Sequence, residues 1–163
     1  MSLATSQRDS YRHGEPVANE HRDARGLAAK TKGEIEAAIC ESITHFQQEY
    51  LGHGPRSIRA YLLDELLVVR LQCVLTTAEQ HLAKSLPDDK GRTLVKQVRN
   101  HLIEAARPTL DAIVQWVTGV PVLSLHHDIS TVTGEEIILF TLAELPYCRP
   151  AKKRQSHDTA CES

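Results

Sequence analysis

The chain has 163 residues, of which 41% are hydrophobic, 25% charged and only 4% aromatic, a composition that suits one globular domain. Nineteen Lys and Arg against twenty-one Asp and Glu give a formal charge of -2 at pH 7, so no overall field draws the chain to nucleic acid or an anionic membrane, and any such binding must be local. No apolar run approaches the roughly 18 residues of a membrane span, no secretory h-region opens the chain, and Cys40, Cys73, Cys148 and Cys161 form no C-x-x-C pair, so a cytoplasmic protein with reduced thiols is expected.

Residues 1–30 mix Arg, Asp, Glu, Ser and Gly without a sustained apolar period, and are predicted to be a disordered tail. A single α+β domain is expected over residues 31–146. Thr31 and Glu34 have the spacing of a capping box, and Ile35, Ile39, Ile43, Phe46 and Tyr50 recur every three or four residues. This predicts a helix of about sixteen residues, closed by Gly52-His53-Gly54-Pro55. Ser57 to Leu63 and Leu66 to Cys73 flank Asp64-Glu65 and read as a hairpin, with a small bulge expected because neither turn residue adopts positive φ as readily as glycine. Both parities of these strands are apolar, so their second face needs a cover, and self-association as a homodimer is the expectation.

Thr76 and Glu79 form a second capping box ahead of a short helix that Pro87 ends. Leu94, Val98, Leu102, Ala105, Ile113 and Val117 then mark a long helix from about Asp89 to Thr118, in which Pro108 should produce a kink or break at a cost of roughly 3 kcal/mol or more. Pro121 to Ser130 and Glu135 to Leu142 form a second hairpin around Thr131 to Gly134. Residues 147–163, with Arg149, Lys152, Lys153 and Arg154, are predicted to be a disordered basic tail whose ordinary role is solubility.

Ile35-Glu36-Ala37-Ala38 is echoed by Ile103-Glu104-Ala105-Ala106, and helix, glycine-proline turn and hairpin occur twice in the same order. The predicted fold is therefore α+β in the order α-β-β-α-α-β-β, with a four-stranded antiparallel sheet of two related hairpins packed on helices.

Ser124, His126, Asp128 and Ser130 share one face of a strand and are candidate ligand or interface residues, with His127 on the opposite face. An imidazole near a carboxylate suits proton relay or metal binding. No third ligand stands at a metal-site spacing, so neither metal nor cofactor is predicted, and a hydrogen-bonded His126–Asp128 pair worth about 1–2 kcal/mol to the fold is the plainer reading. Gly52, Gly54, Arg56 and Arg59 are candidate anion-binding residues, although a glycine C-cap explains the glycines more simply and a helix C-terminus repels anions. Arg107 is a candidate partner contact, its ordinary task being to satisfy carbonyls freed by a kink at Pro108. Neither H-E-x-x-H, G-x-S-x-G nor a dinucleotide fingerprint occurs, and no catalytic residues are predicted.

Gly33-Glu34-Ile35-Glu36, Gly54-Pro55, Val69-Arg70-Leu71, Leu75-Thr76-Thr77-Ala78-Glu79, Ala106-Arg107-Pro108, Ser124-Leu125-His126-His127-Asp128-Ile129-Ser130 and Phe140-Thr141-Leu142 stand in an order that resembles the MpsC-like family of small bacterial proteins, formerly a domain of unknown function. The resemblance runs from about Lys32 to Leu142. It departs from the family at Asp64-Glu65, where a more turn-like pair is usual, and at His127, where a smaller polar residue is usual. It implies an accessory component of a sodium-translocating, membrane-potential-generating system whose membrane subunits handle cation and inorganic-carbon transport, and it supplies no catalytic residues. The expected function is thus a non-enzymatic cytosolic accessory or regulatory protein without a membrane span of its own, peripheral to the inner face of the membrane through transporter subunits. Two alternatives stand beside it: a nucleic-acid-binding module using Arg56, Arg59 and the basic tail, which the near-neutral charge disfavours, and a small-anion or metal-binding protein at His126 and Asp128.

Overall fold

The computed structural model describes residues 30–87 and 89–150. Thr31 precedes the first helix, α1 (Lys32–Leu51), in extended backbone; its hydroxyl accepts from the Glu34 amide while the Glu34 carboxylate accepts from the Thr31 amide, which closes the expected capping box. Thr76 and Glu79 repeat the arrangement at the start of α2 (Thr77–Ser85). At the far end of α1, Gly52 adopts φ 70°, a left-handed cap that glycine enters without a Cβ penalty. The Arg56 amide then donates to Gln72 O and closes the open end of the first hairpin.

That hairpin is β1 (Ser57–Leu63) and β2 (Leu66–Gln72); the second, after the long helix α3 (Lys90–Thr118), is β3 (Val122–Ser130) and β4 (Glu135–Leu142). The strands form a single antiparallel sheet in the order β1-β2-β4-β3. The second strands of the two hairpins therefore meet at the centre, where Val69 faces Ile138, and each unit of helix plus hairpin occupies one half. The predicted element order and two-hairpin sheet are both present.

Among the described residues, helices cover only one face of the sheet. Ala60, Leu62, Leu67, Val69, Leu71, Ile138, Phe140 and Leu142 are buried there against Ile35, Ile39 and Ile43 of α1 and Ile103, Leu110 and Val114 of α3. On the other face Tyr61 and Leu63 are exposed, and Leu66, Val68, Ile137 and Leu139 are only half-buried by one another.

Three local expectations need correction. The Asp64-Glu65 turn has no bulge: Leu63 pairs directly with Leu66, and Asp64 takes φ 53°, a conformation that a short polar side chain tolerates. The irregularity lies instead between Val122 and Ser124 at the start of β3. Helix α3 runs unbroken through Pro108, because Ile103, Ala106, Leu110 and Val114 anchor the turns on both sides of it in the core, and Arg107 pairs with Asp111 one turn on rather than with freed carbonyls. The buried stripe of α3 is also displaced by one residue from the apolar period at its N-terminal half: Val95, Arg99 and Ile103 face inward, while Leu94 and Val98 are 42% and 47% exposed.

Helix α2 crosses the first turn of α3 so closely that a Cβ on Gly91 would lie 2.1 Å from the Leu82 carbonyl oxygen. That neighbour is backbone and cannot swing aside. Gly91→Ala is expected to destabilise the protein by roughly 3 kcal/mol or more in a denaturant titration. Gly33→Ala, at a helical position with no heavy atom within 4 Å, is expected to be neutral or to stabilise by up to about 1 kcal/mol.

Candidate functional site

Strand parity puts Glu136 on the same face as Ile138, Phe140 and Leu142, so a carboxylate enters the apolar core and is fully buried. An unpaired charge there would cost several kcal/mol, and the surrounding elements supply its partners. His127 of β3, with a side chain only 4% exposed, places Nε2 at 2.6 Å from Glu136 Oε1. Gln47 of α1 donates from Nε2 to Glu136 Oε2 at 3.2 Å, and Arg99 of α3 brings Nη1 to 4.0 Å of the same oxygen. The other ring nitrogen of His127 lies 3.0 Å from Asn100 Oδ1 on α3.

Arg99 extends this cluster to α2. It is 3% exposed, donates from Nε and Nη2 to the two Glu79 oxygens at 2.7 and 2.9 Å, and donates from Nη2 to Val74 O at 2.6 Å. Glu79 is the capping-box carboxylate of α2, so one side chain caps the start of the helix and neutralises the guanidinium. Burial pushes the Glu79 carboxyl up, but hydrogen bonds from Arg99 and from the Thr76 amide and hydroxyl outweigh it and hold the group below the ordinary carboxylate range. Gln47 Oε1 and Arg99 Nη1 make no hydrogen bond. Among the described residues no group of three or more His, Cys, Asp or Glu side chains is placed to hold a metal ion.

The candidates chosen from sequence lie elsewhere. Ser124, His126, Asp128 and Ser130 belong to the parity of β3 that faces away from the helices, but the expected His126–Asp128 hydrogen bond does not form. Residues two apart on a strand stand roughly 7 Å from each other, and Asp128 turns instead to Lys96 of α3, whose Nζ donates to its two oxygens at 2.9 and 3.2 Å. That hydrogen bond is the main reason the Asp128 carboxyl sits below its ordinary range. His126 is exposed. Ser130 Oγ accepts from the Thr133 amide in the turn, and Ser124 faces Thr141. Gly52 and Gly54 serve the chain reversal between α1 and β1, Gly54 lying against the Gln48 side chain, and the Arg56 side chain is exposed. Arg59 lies on the uncovered sheet face opposite Arg70. Lys152, Lys153 and Arg154 fall outside the described residues.

At the end of the described chain, Arg149 lies against the start of α1, its amide donating to Lys30 O at 2.9 Å and its guanidinium reaching both Glu34 oxygens at 3.2 Å. One surface hollow is lined by Cys40, Glu41, Thr44, His45, Gln48 and Ile58, and another by residues that include Leu62, Asp64, Leu145 and Tyr147. The first brings the Cys40 thiol, the Glu41 carboxylate and the His45 imidazole to one hollow, where His45 turns its Nδ1 to Glu49 at 3.2 Å. Burial pushes the Cys40 thiol up, away from the reactive thiolate.

The family model described as Na+-translocating membrane potential-generating system (MpsC) matches residues 31–144. Uncharacterized protein YbcI of Bacillus subtilis (strain 168) is 37% identical over 113 residues, which cover 69% of this chain and 89% of that protein. No solved structure matches the chain.

Arg99→Ala is expected to destabilise the protein by about 3–5 kcal/mol, because it leaves Glu136 and Glu79 short of their shared cation, whereas His126→Ala should change stability by less than about 0.5 kcal/mol in the same titration. The pH dependence follows from the lowered Glu79 carboxyl. A group with a folded pKa below its unfolded one contributes stability that is complete above the unfolded value of about 4.3 and is lost as pH falls through the folded value. Melting temperature should therefore drop as the buffer goes below about pH 5, and Glu79→Gln should reduce that drop while lowering stability at pH 7.

Proposed function

The chain belongs to the MpsC family, and on that premise we propose that it is a non-enzymatic accessory protein of a Na+-translocating, membrane-potential-generating system, working at the cytoplasmic side through that system's membrane subunits. The observation that carries this reading is the extent of the match: residues 31–144 take in every helix and strand from α1 to β4, so the family's role resides in the folded domain rather than in either tail. The chemistry of the domain agrees. Arg99, His127 and Glu136 are 3%, 4% and 0% exposed between sheet and helices, where they bear on packing. No helix among the described residues is long and apolar enough to cross a membrane, so attachment to membrane subunits would run through their exposed parts. Cation and inorganic-carbon transport are the activities this reading assigns to those subunits, and modulation or assembly the part left to this chain.

The test is loss and recovery in the native host. Deleting the gene is expected to lower Na+-dependent membrane potential and inorganic-carbon uptake, both recovering with the wild-type chain, and the tagged chain should copurify with the membrane subunits in mild detergent. Unchanged potential and uptake together with purification free of membrane subunits would overturn the assignment.

A further inference from the structure

The sheet face that the helices leave open has a definite pattern. Cross-strand pairing arranges its side chains in rows that run across all four strands: Leu63, Leu66, Thr141 and Ser124; then Tyr61, Val68, Leu139 and His126; then Arg59, Arg70, Ile137 and Asp128. With strands about 4.8 Å apart and rows about 7 Å apart, the three rows cover roughly 400 Å². Six of the twelve side chains, Tyr61, Leu63, Leu66, Val68, Ile137 and Leu139, form a contiguous apolar group across β1, β2 and β4, and exposed apolar groups of this kind on soluble proteins are commonly functional.

We infer that this face is the interface of a homodimer, in which a second copy of the chain packs face to face about a two-fold axis parallel to the strands. The charges select both the occupant and the axis. Arg59 and Arg70 are directly opposite on β1 and β2, an unfavourable like-charge pair. Arg70 is neutralised by Glu135, to which its Nε donates at 3.0 Å, but among the described residues no carboxylate pairs with Arg59. A two-fold axis along the strands lays β1 of one copy over β3 of the other and keeps the rows in register. Arg59 then stands over the second copy's Asp128, Tyr61 over its His126 and Val68 over its Leu139, and each contact occurs twice. Asp128, whose side chain is 70% exposed although Lys96 reaches it, has acceptor capacity left for a second cation. An axis across the strands reverses the rows instead and sets Arg59, with no carboxylate among the described residues, over Leu63 and Arg70 over Leu66, whereas the axis along the strands leaves only Arg70, already neutralised by Glu135, over an apolar residue, Ile137. The face is thus self-complementary in one orientation, which a partner of unrelated sequence has no reason to match.

Light scattering on the full chain at tens of micromolar is expected to report twice the 18.2 kDa of one copy. Val68→Arg, at the centre of the face and outside the helix-covered core, should give a folded monomer. Arg59→Glu and Asp128→Lys should each weaken the dimer about tenfold or more, and the two together in one chain should restore it, because both trans pairs then reverse sign. Circular dichroism checks that each variant stays folded. A wild-type monomer overturns the proposal. So does a Val68→Arg chain that remains dimeric, which would move the interface elsewhere, the exposed Leu94 and Val98 stripe of α3 being the next face. Failure of the double variant to recover, with both single variants weakened, overturns the proposed axis.

Discussion

The carboxylate of Glu136 is the constraint around which the rest of the domain is arranged. A charge placed in the middle of a sheet face that three elements cover must be met from every side, and it is: Gln47 from α1, Arg99 from α3 and His127 from the neighbouring strand. Arg99 carries the one positive charge that Glu136, at 4.0 Å, shares with Glu79, to which Arg99 donates twice. Glu79 in turn fixes where α2 begins, and the backbone of α2 at Leu82 comes against Gly91 of α3. Buried ion networks contribute little net stability compared with apolar residues of the same shape, but they tolerate few alternative packings. Sliding α3 by one residue would bury Leu94 and Val98 and strand Glu136.

Much of the fold was legible from local signals. The two T-x-x-E boxes, the left-handed cap at Gly52 and the extent of β4 follow from short-range chemistry that the sequence displays directly. Strand parity correctly separated His127 from His126 and Asp128. Wherever a polar residue stood at a core position, that legibility ended. Reading apolar period along α3 selected Leu94 and Val98, since an arginine in the true stripe at position 99 looks like an outward residue until its partners are known. Glu136 alternated with Ile138, Phe140 and Leu142, which was the signal available for a buried carboxylate, but nothing local names residues from 47 to 127 as its partners. The turn at Asp64 and the unbroken passage through Pro108 were misjudged for a related reason: tertiary anchoring on both flanks overrides a modest local preference.

The domain buries one ionic cluster, around Glu136 and Arg99, and presents a patterned sheet face outside. The near-neutral charge of the chain fits the same division, because the Arg and Asp at the two margins of the open face oppose each other across the sheet instead of adding to a field of one sign.

The central seam between β2 and β4 bears on how the chain reaches this state. Each hairpin closes locally, Leu63 on Leu66 and Ser130 on Glu135, whereas the seam joins Val69 to Ile138 across all of α2 and α3. Contacts so distant in sequence form late, after the entropy of closing a long loop has been overcome. Until they do, β2, rich in Leu and Val, and β4, rich in Ile and Leu, present unpaired edges, and the β2 edge of one molecule is as good a template for β4 of another as for its own. At high concentration a refolding chain therefore partitions between closing its seam within itself and exchanging halves with a neighbour, and dilution during refolding favours the former.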